Sequence, residues 1–422
     1  MVSSWRSAAT LCLGLATAGH VAACDAARQG ANPEVPLWEN RPGMALSLVS
    51  QTPLTFEGRN FDEAYERGRP TIDPAHRRVF VGSSDRGLYA LRAEDSSTIW
   101  RYETMGAVQS EPLYDPAEDV VYFGSNDGAL YKVDAENGDL HWRFMTASEV
   151  HRPPVLHEGV LYFANANDTI VAVDPKTGEM KWNYHRAPIG GMSIAGYAGP
   201  AVWRDRVFQA FSDGHVMAFD AKEGALLWPV VDLSAEAEQA SGFQIPKYFD
   251  VDTTPVVSRI ASGPVVFVGT YAGGVYALDA STGAQLWSND KVRGVTELTR
   301  WYQPPHPPRG GGPMVPAREL LLASTGTSGM WALDPEDGTE VWRRELPAGG
   351  VSAPAEIAGA LMVTTTRYGV FLLSPLNGQV IDGIDLGMGF AMAPSAYGNR
   401  AYVLSNGGSW LSLHVTPPSR VN

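Results

Sequence analysis

The stretch Ala172-Val-Asp174-Pro-Lys-Thr-Gly178-Glu-Met-Lys-Trp182 recurs along the chain as the template Ala-x-Asp-x-x-x-Gly-x-x-x-Trp. Each copy follows two β-rich runs joined by a polar turn, a pattern typical of a β-hairpin. We expect the Asp to accept backbone N–H groups in the next turn and the Gly to supply its positive φ. We expect the Trp to dock each unit onto its neighbour, because one small sheet cannot bury both of its faces. Copies with at most one change at these four positions end at Trp142, Trp182, Trp228, Trp287 and Trp342.

The number and spacing of the copies predict the architecture. A weaker copy ends at Trp100, with Arg92 and Ser96 in place of Asp and Gly, and another surrounds Gly378, with Asp382 at the Trp position. A last hairpin, residues 401–413, brings the total to eight. The first two Trp-to-Trp steps are 42 and 40 residues, and a four-stranded propeller blade repeats at about 40–50 residues. The chain is therefore predicted to be an all-β, eight-bladed β-propeller of four-stranded antiparallel blades, with seven blades as the alternative.

The last unit has too little chain for its outer strand. It runs out after His414, and an unpaired blade edge would be an aggregation hazard. We therefore predict that the region from Met44 to Phe56 supplies the missing strand and closes the ring. The predicted propeller spans residues 44–416, and residues 417–422 form a C-terminal tail.

The N-terminus predicts a targeting segment. Arg6 precedes an apolar stretch at 8–18, followed by Val21-Ala-Ala-Cys24. A small-residue site that ends in Cys resembles a bacterial lipobox, which implies a signal peptide at 1–23 and a lipid anchor on Cys24. The alternative is an ordinary secretory signal cleaved near Ala23. The polar, proline-containing residues 24–43 are predicted to form a flexible tether.

Composition argues against several classes of function. A formal net charge of −14 gives no electrostatic support for nucleic-acid binding. The chain has two cysteines, Cys12 and Cys24, so a mature chain that begins at Cys24 is expected to hold no disulfide. The histidines show no metal-ligand spacing, and no Gly-x-Ser-x-Gly elbow occurs. We therefore predict no catalytic residue, metal or cofactor.

Two stretches outside the repeat resemble a known family. The repeat itself is similar to that of pyrroloquinoline-quinone (PQQ) enzymes, and the mature chain resembles the BamB family, the lipoprotein subunits of the β-barrel assembly machinery in outer membranes. Asp250-Val-Asp252-Thr-Thr-Pro255 resembles a family segment whose acidic pair contacts the BamA subunit. Met192-Ser-Ile194-Ala195-Gly196 is placed like the family's apolar-x-apolar-Arg-Gly loop, which also meets BamA, although Ala195 replaces the Arg.

The resemblance implies a non-enzymatic scaffold. Such a protein would bind the POTRA domains of a BamA-like protein and assist unfolded outer-membrane proteins, while a lipid anchor holds it to the outer membrane facing the periplasm. Asp25 follows the lipidated Cys24, and in the best-known sorting rule Asp there favours inner-membrane retention. The implied partner-binding residues are Met192, Ile194, Asp250 and Asp252.

Other interpretations of these residues and of the repeat stay open. Met192 and Ile194 could pack under a blade, and the two aspartates could accept backbone N–H bonds in their own loop. A PQQ-dependent dehydrogenase would carry a neighbouring cysteine pair, which this sequence cannot form. A propeller that binds a polysaccharide would use exposed aromatic side chains, for which the candidates are Trp203, Trp301 and Tyr302.

Overall fold

Eight four-stranded antiparallel sheets, arranged as the blades of one propeller, make up the fold. A computed structural model describes residues 45–54, 66–187, 197–234, 251–305, 312–314, 316–327, 329–346 and 349–417. Consecutive strands pair within each blade, and the last blade includes the first strand of the chain. The predicted fold class, the number of blades and the N-terminal closing strand are all confirmed.

Each blade is built from four strands, and blade 8 takes one of them from the other end of the described chain. Blade 1 contains β2 (Thr71–Asp73), β3 (Arg78–Gly82), β4 (Gly87–Arg92) and β5 (Thr98–Glu103), and blade 2 contains β6 (Leu113–Asp115), β7 (Val120–Gly124), β8 (Ala129–Asp134) and β9 (Leu140–Met145). Blade 3 contains β10 (Val155–His157), β11 (Val160–Asn165), β12 (Thr169–Val173) and β13 (Met180–His185), and blade 4 contains β14 (Ala201–Trp203), β15 (Arg206–Ala210), β16 (His215–Asp220) and β17 (Val231–Asp232). Blade 5 contains β18 (Val256–Ile260), β19 (Gly263–Thr270), β20 (Gly274–Asp279) and β21 (Gln285–Asn289), and blade 6 contains β22 (Val295–Gln303), β23 (Arg318–Thr325), β24 (Met330–Leu333) and β25 (Glu340–Arg344). Blade 7 contains β26 (Ala355–Ile357), β27 (Ala360–Thr365), β28 (Gly369–Leu373) and β29 (Val380–Ile384), and blade 8 contains β30 (Ser395–Tyr397), β31 (Arg400–Leu404), β32 (Ser409–Val415) and β1 (Leu46–Pro53).

The first strand of each blade lies at the centre of the ring. Neighbouring first strands contact one another, as β2 contacts β6 and β30, whereas the fourth strands alternate exposed and half-buried residues. Seven of the eight first strands begin directly after a proline, which fixes φ at the point where the chain enters the sheet. These prolines are Pro70, Pro112, Pro154, Pro200, Pro255, Pro354 and Pro394.

The hydrophobic core lies between blades. The middle strands β3 and β7 are buried along their whole length. Phe80 and Trp100 of blade 1 pack in one cluster with Val121 and Phe123 of blade 2. Since each cluster joins two blades, a blade removed from the ring would expose apolar surface on both sides.

The template Trp residues dock each blade onto the next, as the sequence predicted. Trp182 Nε1 donates a hydrogen bond to the main-chain oxygen of Ala221, the residue after the template Asp of blade 4, at 3.0 Å. The Gly of the same turn packs closely against the indole ring. A Cβ at Gly224 (φ +69°) would lie 2.6 Å from Cδ2 of Trp182, so no larger residue fits there. The same hydrogen bond is formed by Trp100 to Ala135, Trp142 to Pro175, Trp228 to Ala280, Trp287 to Pro335 and Trp342 to Pro375.

The template Asp organises the turn that receives the Trp. Asp174 Oδ1 accepts hydrogen bonds from the main-chain N–H groups of Lys176 and Thr177. The N–H of Gly178 donates to the main-chain oxygen of Asp174 at 2.8 Å. The Asp and the Gly of the template therefore shape a receptor for the neighbouring indole, as predicted.

Ring closure uses two residues that break the template. Strand β1 pairs with β32 through most of its length. Asp382, at the Trp position of blade 7, accepts hydrogen bonds from the N–H groups of Ala45 and Leu46, both at 2.8 Å. Blade 8 docks onto blade 1 through Trp410, whose Nε1 donates to Oγ of Ser96 at 3.1 Å. Asp382 and Ser96 were identified in the sequence as losses from the repeat, whereas in the structure both hold the closure together.

Among the described residues, there is no helix that is long and apolar enough to cross a membrane.

Candidate functional site at the mouth of the central channel

The predicted acidic segment lies directly before the first strand of blade 5. Asp252 is half-buried, whereas Asp250 lies outside the described residues. Val251 and Thr253 are fully buried, and Thr253 Oγ1 donates to the main-chain oxygen of Gly269 at 2.8 Å and accepts from its N–H at 2.7 Å. The segment is therefore fixed to β19, with Asp252 between two anchored residues.

Arg152 joins the described ends of both predicted docking segments. Its Nε donates to the main-chain oxygen of Tyr197 at 2.5 Å, and its Nη2 donates to that of Asp252 at 2.7 Å. Tyr197 directly follows the apolar loop with Met192 and Ile194, a loop that lies outside the described residues. The guanidinium of Arg152 therefore forms hydrogen bonds with Tyr197, next to the apolar segment, and with Asp252, within the acidic segment.

Tyr197 and His151 stack beside Arg152, with 5.8 Å between their ring centroids. The main-chain N–H of His151 donates to Oη of Tyr197, and this hydroxyl donates to the main-chain oxygen of Glu149. Burial raises the pKa of Tyr197 above its usual value. Burial, together with the charges of Arg67 and Arg152, lowers the pKa of His151 to about 4. The His151 ring is therefore neutral at neutral pH.

An ion-pair network joins distant blades across the channel. Arg69 Nη1 lies 3.3 Å from a carboxylate oxygen of Glu111 and 3.3 Å from one of Glu297. Arg69 and Glu111 precede the first strands of blades 1 and 2, whereas Glu297 belongs to β22 of blade 6. A β-bulge between Val295 and Glu297 shifts the pairing of β22 with β23, and such bulges re-aim side chains. The network therefore ties together parts of the ring that share no strand pairing.

Burial and ion pairing shift the pKa values of the residues in this network in opposite directions. Burial raises the pKa of Glu111, and the charge of Arg69 opposes the rise. For Arg69, burial lowers the pKa, but the charges of Glu111 and Glu297 outweigh burial, and the net shift is upward. The arginine is therefore permanently charged, and its charge is balanced inside the protein.

The network and the docking-segment ends adjoin a cavity of about 550 Å³ at the channel mouth. Residues from seven blades line it, and they include positive, negative, neutral polar and apolar side chains. The lining residues are Arg67, Gln109, His151, Arg152, Tyr197, Thr296, Glu297, Gly350, Val351, Ser352, Thr366, Arg367, Phe390, Ala391, Met392, Ala393 and Asn406. A volume of several hundred Å³ is typical of a ligand-binding cleft.

The charged residues of this mouth were not identified from the sequence. They are far apart in the chain and belong to no catalytic motif. A signal was present, because Arg69 and Glu111 stand directly before the prolines that open β2 and β6, and Arg152 stands two residues before Pro154. Charged residues one or two positions before these prolines lie near the channel, because the first strand of each blade lies at the centre of the ring.

The three candidate aromatic residues do not form an exposed stacking platform. Trp301 is only 7 % exposed and packs in the core between blades 6 and 7, so it cannot serve as the exposed platform that the polysaccharide alternative requires. Trp203 is half-buried and carries the guanidinium of Arg204 at 4.5 Å from its ring centroid. Tyr302 is 59 % exposed. The strand pattern explains the difference, because Trp301 and Tyr302 are successive residues that face opposite sides of β22.

One group of side chains among the described residues has the spacing of a metal site. It consists of Asp73, His76 and Asp119. Arg78 donates hydrogen bonds to both carboxylates, through Nε to Asp73 at 2.8 Å and through Nη2 to Asp119. A guanidinium therefore already provides the positive charge that balances these two carboxylates.

Comparison with known proteins identifies the family. A family model described as "Outer membrane protein assembly factor BamB" matches residues 116–300 and 296–413, which is more than half of the chain. The chain belongs to the BamB family. This membership confirms the family resemblance inferred from the sequence.

BamB-family relatives match at low identity. The BamB protein of Legionella pneumophila (strain Paris) is 26 % identical over 233 residues, which cover 55 % of this chain and 54 % of that protein. The chain spans about half the length of the curated BamB relatives that it matches first. The crystal structure of BamB from Moraxella catarrhalis superposes with a TM-score of 0.65 at 20 % identity, covering 87 % of this chain and 99 % of that one. The structural match supports the fold.

The same repeat also occurs in enzymes. The dehydrogenase subunit of the quinone alcohol dehydrogenase of Gluconobacter oxydans (strain 621H) is 31 % identical over 156 residues, which cover 34 % of this chain and 17 % of that protein. This match covers a smaller share of both chains than the Legionella match does. The repeat alone therefore does not separate a scaffold from an enzyme.

Proposed function

We propose that this protein is a non-enzymatic scaffold lipoprotein of the outer-membrane β-barrel assembly machinery. It binds the POTRA domains of a BamA-like protein and assists the folding and insertion of outer-membrane proteins. The observation that carries the proposal is the BamB family match over residues 116–413. The rigid ring supports this role, since binding loops held on a stable scaffold keep their shape.

The proposed docking surface consists of Met192, Ile194, Asp250 and Asp252. Met192 and Ile194 supply apolar contacts, and the two aspartates supply charge for Arg or Lys residues of the partner. The bonds from Arg152 to the main chain at Tyr197 and Asp252 support this assignment, because they fix the neighbourhood of both segments. A surface whose surroundings are fixed before binding loses less conformational entropy when the partner docks.

Reversing both acidic charges is expected to disrupt the complex. The double variant Asp250→Lys/Asp252→Lys should bind the purified POTRA domains of a BamA-like protein more than tenfold more weakly, because losing one member of an interfacial charge pair costs about 2–5 kcal/mol. Surface plasmon resonance with the POTRA domains immobilised measures the loss.

The control is Asp290→Lys/Glu340→Lys, which makes the same change in net charge at exposed residues of blades 5 and 6. It should bind like the wild type, and both double variants should melt near the wild-type temperature. Unchanged affinity in a folded Asp250→Lys/Asp252→Lys protein would contradict the proposed surface. A lowered melting temperature of that variant would instead assign the aspartates to loop stability.

The lipid anchor is proposed at Cys24, on the basis of the Val-Ala-Ala-Cys site. The variant Cys24→Ser should appear in the soluble periplasmic fraction, because no acyl chains would hold it to the membrane. Membrane fractionation and detergent partitioning, each with the wild type in parallel, measure the change. A variant that still sediments with membranes and partitions into detergent would disprove the anchor. Separation of inner and outer membranes of wild-type cells tests the proposed outer-membrane location against retention through Asp25.

A further inference from the structure

Three guanidinium groups at the channel mouth lack carboxylate partners among the described residues. Arg67 precedes the first strand of blade 1, Arg152 precedes that of blade 3, and Arg367 lies in the turn between β27 and β28 of blade 7. Arg152 donates to main-chain oxygens only. Within the described ranges, no ion pair is formed by any of the three, and neither Arg67 nor Arg367 forms a hydrogen bond. The three positive charges therefore face the cavity without an internal counter-charge in direct contact.

Among the described residues that line the cavity, acidic side chains do not balance the three arginines. Two carboxylates lie outside that lining: Glu111, on which the charge of Arg152 acts, and Glu149, whose Oε2 is 3.1 Å from Nε2 of His151. Glu297 is the one carboxylate among the described residues that line the cavity, and it is already paired with Arg69 at 3.3 Å. His151 adds no negative charge, since its ring is neutral or positive at every pH. The pKa of His151 is lowered first by burial and then by the charges of Arg67 and Arg152, which is consistent with the position of these two arginines beside it. Such a cluster of positive charges is unusual in a chain of net charge −14.

The cavity has the size and the lining of a ligand site. Its volume is about 550 Å³, within the range of roughly 300–1,000 Å³ typical of small-molecule sites. Val351, Phe390 and Met392 give it an apolar side. Guanidinium groups bind carboxylates through two parallel hydrogen bonds, which makes arginine the residue best suited to such ligands. Because the three arginines come from three different blades, they suit a ligand with more than one carboxylate.

We propose that the mouth of the central channel binds a ligand that carries two or more carboxylates, held by Arg67, Arg152 and Arg367. The carboxylates come either from a small free polycarboxylate or from acidic side chains of a peptide segment. This site is separate from the proposed docking residues, although Arg152 adjoins both. A ligand bound to Arg152 would therefore lie next to Tyr197 and Asp252, to which Arg152 is hydrogen-bonded.

Isothermal titration calorimetry of the full mature chain at low salt tests the proposal with two probes, citrate and a hexaglutamate peptide. At least one should bind saturably, and the affinity should fall steeply as salt is added, because the site is partly open to solvent. Trimethyl citrate, which lacks the charges, should not bind. The probe that binds more tightly identifies the source of the carboxylates.

Variants locate the binding within the molecule. Arg67→Gln and Arg367→Gln should each weaken the tighter probe by about tenfold, since one charge-assisted hydrogen-bonded group is lost. The matched control is Arg318→Gln, which removes the same charge from an exposed position at the start of β23. Melting curves of all three variants establish that they are folded. Failure of both probes to bind would overturn the proposal, and so would an equal loss of affinity in Arg318→Gln, since binding would then follow overall charge.

Discussion

Replacing Trp182 by alanine is expected to lower the free energy of unfolding by about 3–5 kcal/mol, the usual loss for a buried aromatic residue. The side chain is only 9 % exposed. It packs against Tyr162 of its own blade and Phe219 of the next, with ring centroids 5.9 and 6.0 Å apart. It also donates a hydrogen bond to Ala221. The substitution would leave a cavity between blades 3 and 4, and the carbonyl oxygen of Ala221 would keep only the hydrogen bond that it accepts from Oη of Tyr162.

Urea denaturation followed by circular dichroism measures this loss. Trp182→Phe keeps part of the ring packing but loses the hydrogen bond, so we expect an intermediate stability. Tyr302→Ala is the control, since this aromatic side chain is 59 % exposed and its loss should change stability by no more than about 0.5 kcal/mol. If Trp182→Ala were as stable as the control, the docking role of the repeated Trp would be wrong.

The second large effect is expected at Asp382, where the ring closes. Asp382→Ala would leave the N–H groups of Ala45 and Leu46 without their acceptor, and Leu46 is fully buried. Each buried donor left unsatisfied costs about 1–3 kcal/mol. Because the N–H of Ala45 is only partly buried, we expect a total loss of about 2–5 kcal/mol. The loss should be concentrated in β1, because this strand joins the ring only in blade 8.

Hydrogen exchange measured by mass spectrometry separates local from global effects. In Asp382→Ala, peptides that cover β1 should exchange faster, whereas peptides from blades 3 and 4 should change little. Asp385→Ala is the matched control, since its carboxylate accepts a single exposed hydrogen bond from the N–H of Gly387. Equal exchange of β1 in the two variants would show that Asp382 does not hold the closing strand.

Much of the fold could be predicted because its main interactions repeat. The Asp, Gly and Trp of the template recur at fixed spacing, and each has one physical role that any copy reveals. The count of copies and the missing outer strand of the last unit then determined the number of blades and the source of β1. The turn formed by the template Asp and Gly, and the contact of the Trp with the next blade, were sufficient for this prediction.

The closure could not be predicted in the same way, because its residues depart from the repeat. Ser96 replaces the template Gly yet adopts a φ of +63° and accepts the hydrogen bond of Trp410. Trp410 lies on the third strand of its blade, whereas the other docking Trp residues lie on the fourth strand or, for Trp228, three residues before it. Each exception makes sense only together with its partner, which is hundreds of residues away in the chain.

The candidate site was less predictable than the fold. The sequence pointed to Asp252 through a family resemblance, but it gave no sign that Arg152 would hold Tyr197 and Asp252. The pairing of Arg69 with Glu297 spans five blades of sequence, and no spacing rule connects the two residues. Such contacts depend on the curvature of the closed ring, which no single repeat contains.

The proposed role of the protein is that of a subunit of the assembly machinery that contains a BamA-like protein. The most direct measurement is affinity purification of the full chain from native membranes, solubilised in mild detergent, with identification of the partners by mass spectrometry. A tagged but unrelated lipoprotein from the same membranes serves as the control. We expect a BamA-like protein in near-stoichiometric amount with the full chain and not with the control. Recovery of the chain without any BamA-like protein, under conditions in which other subunits of that machinery stay together, would contradict it.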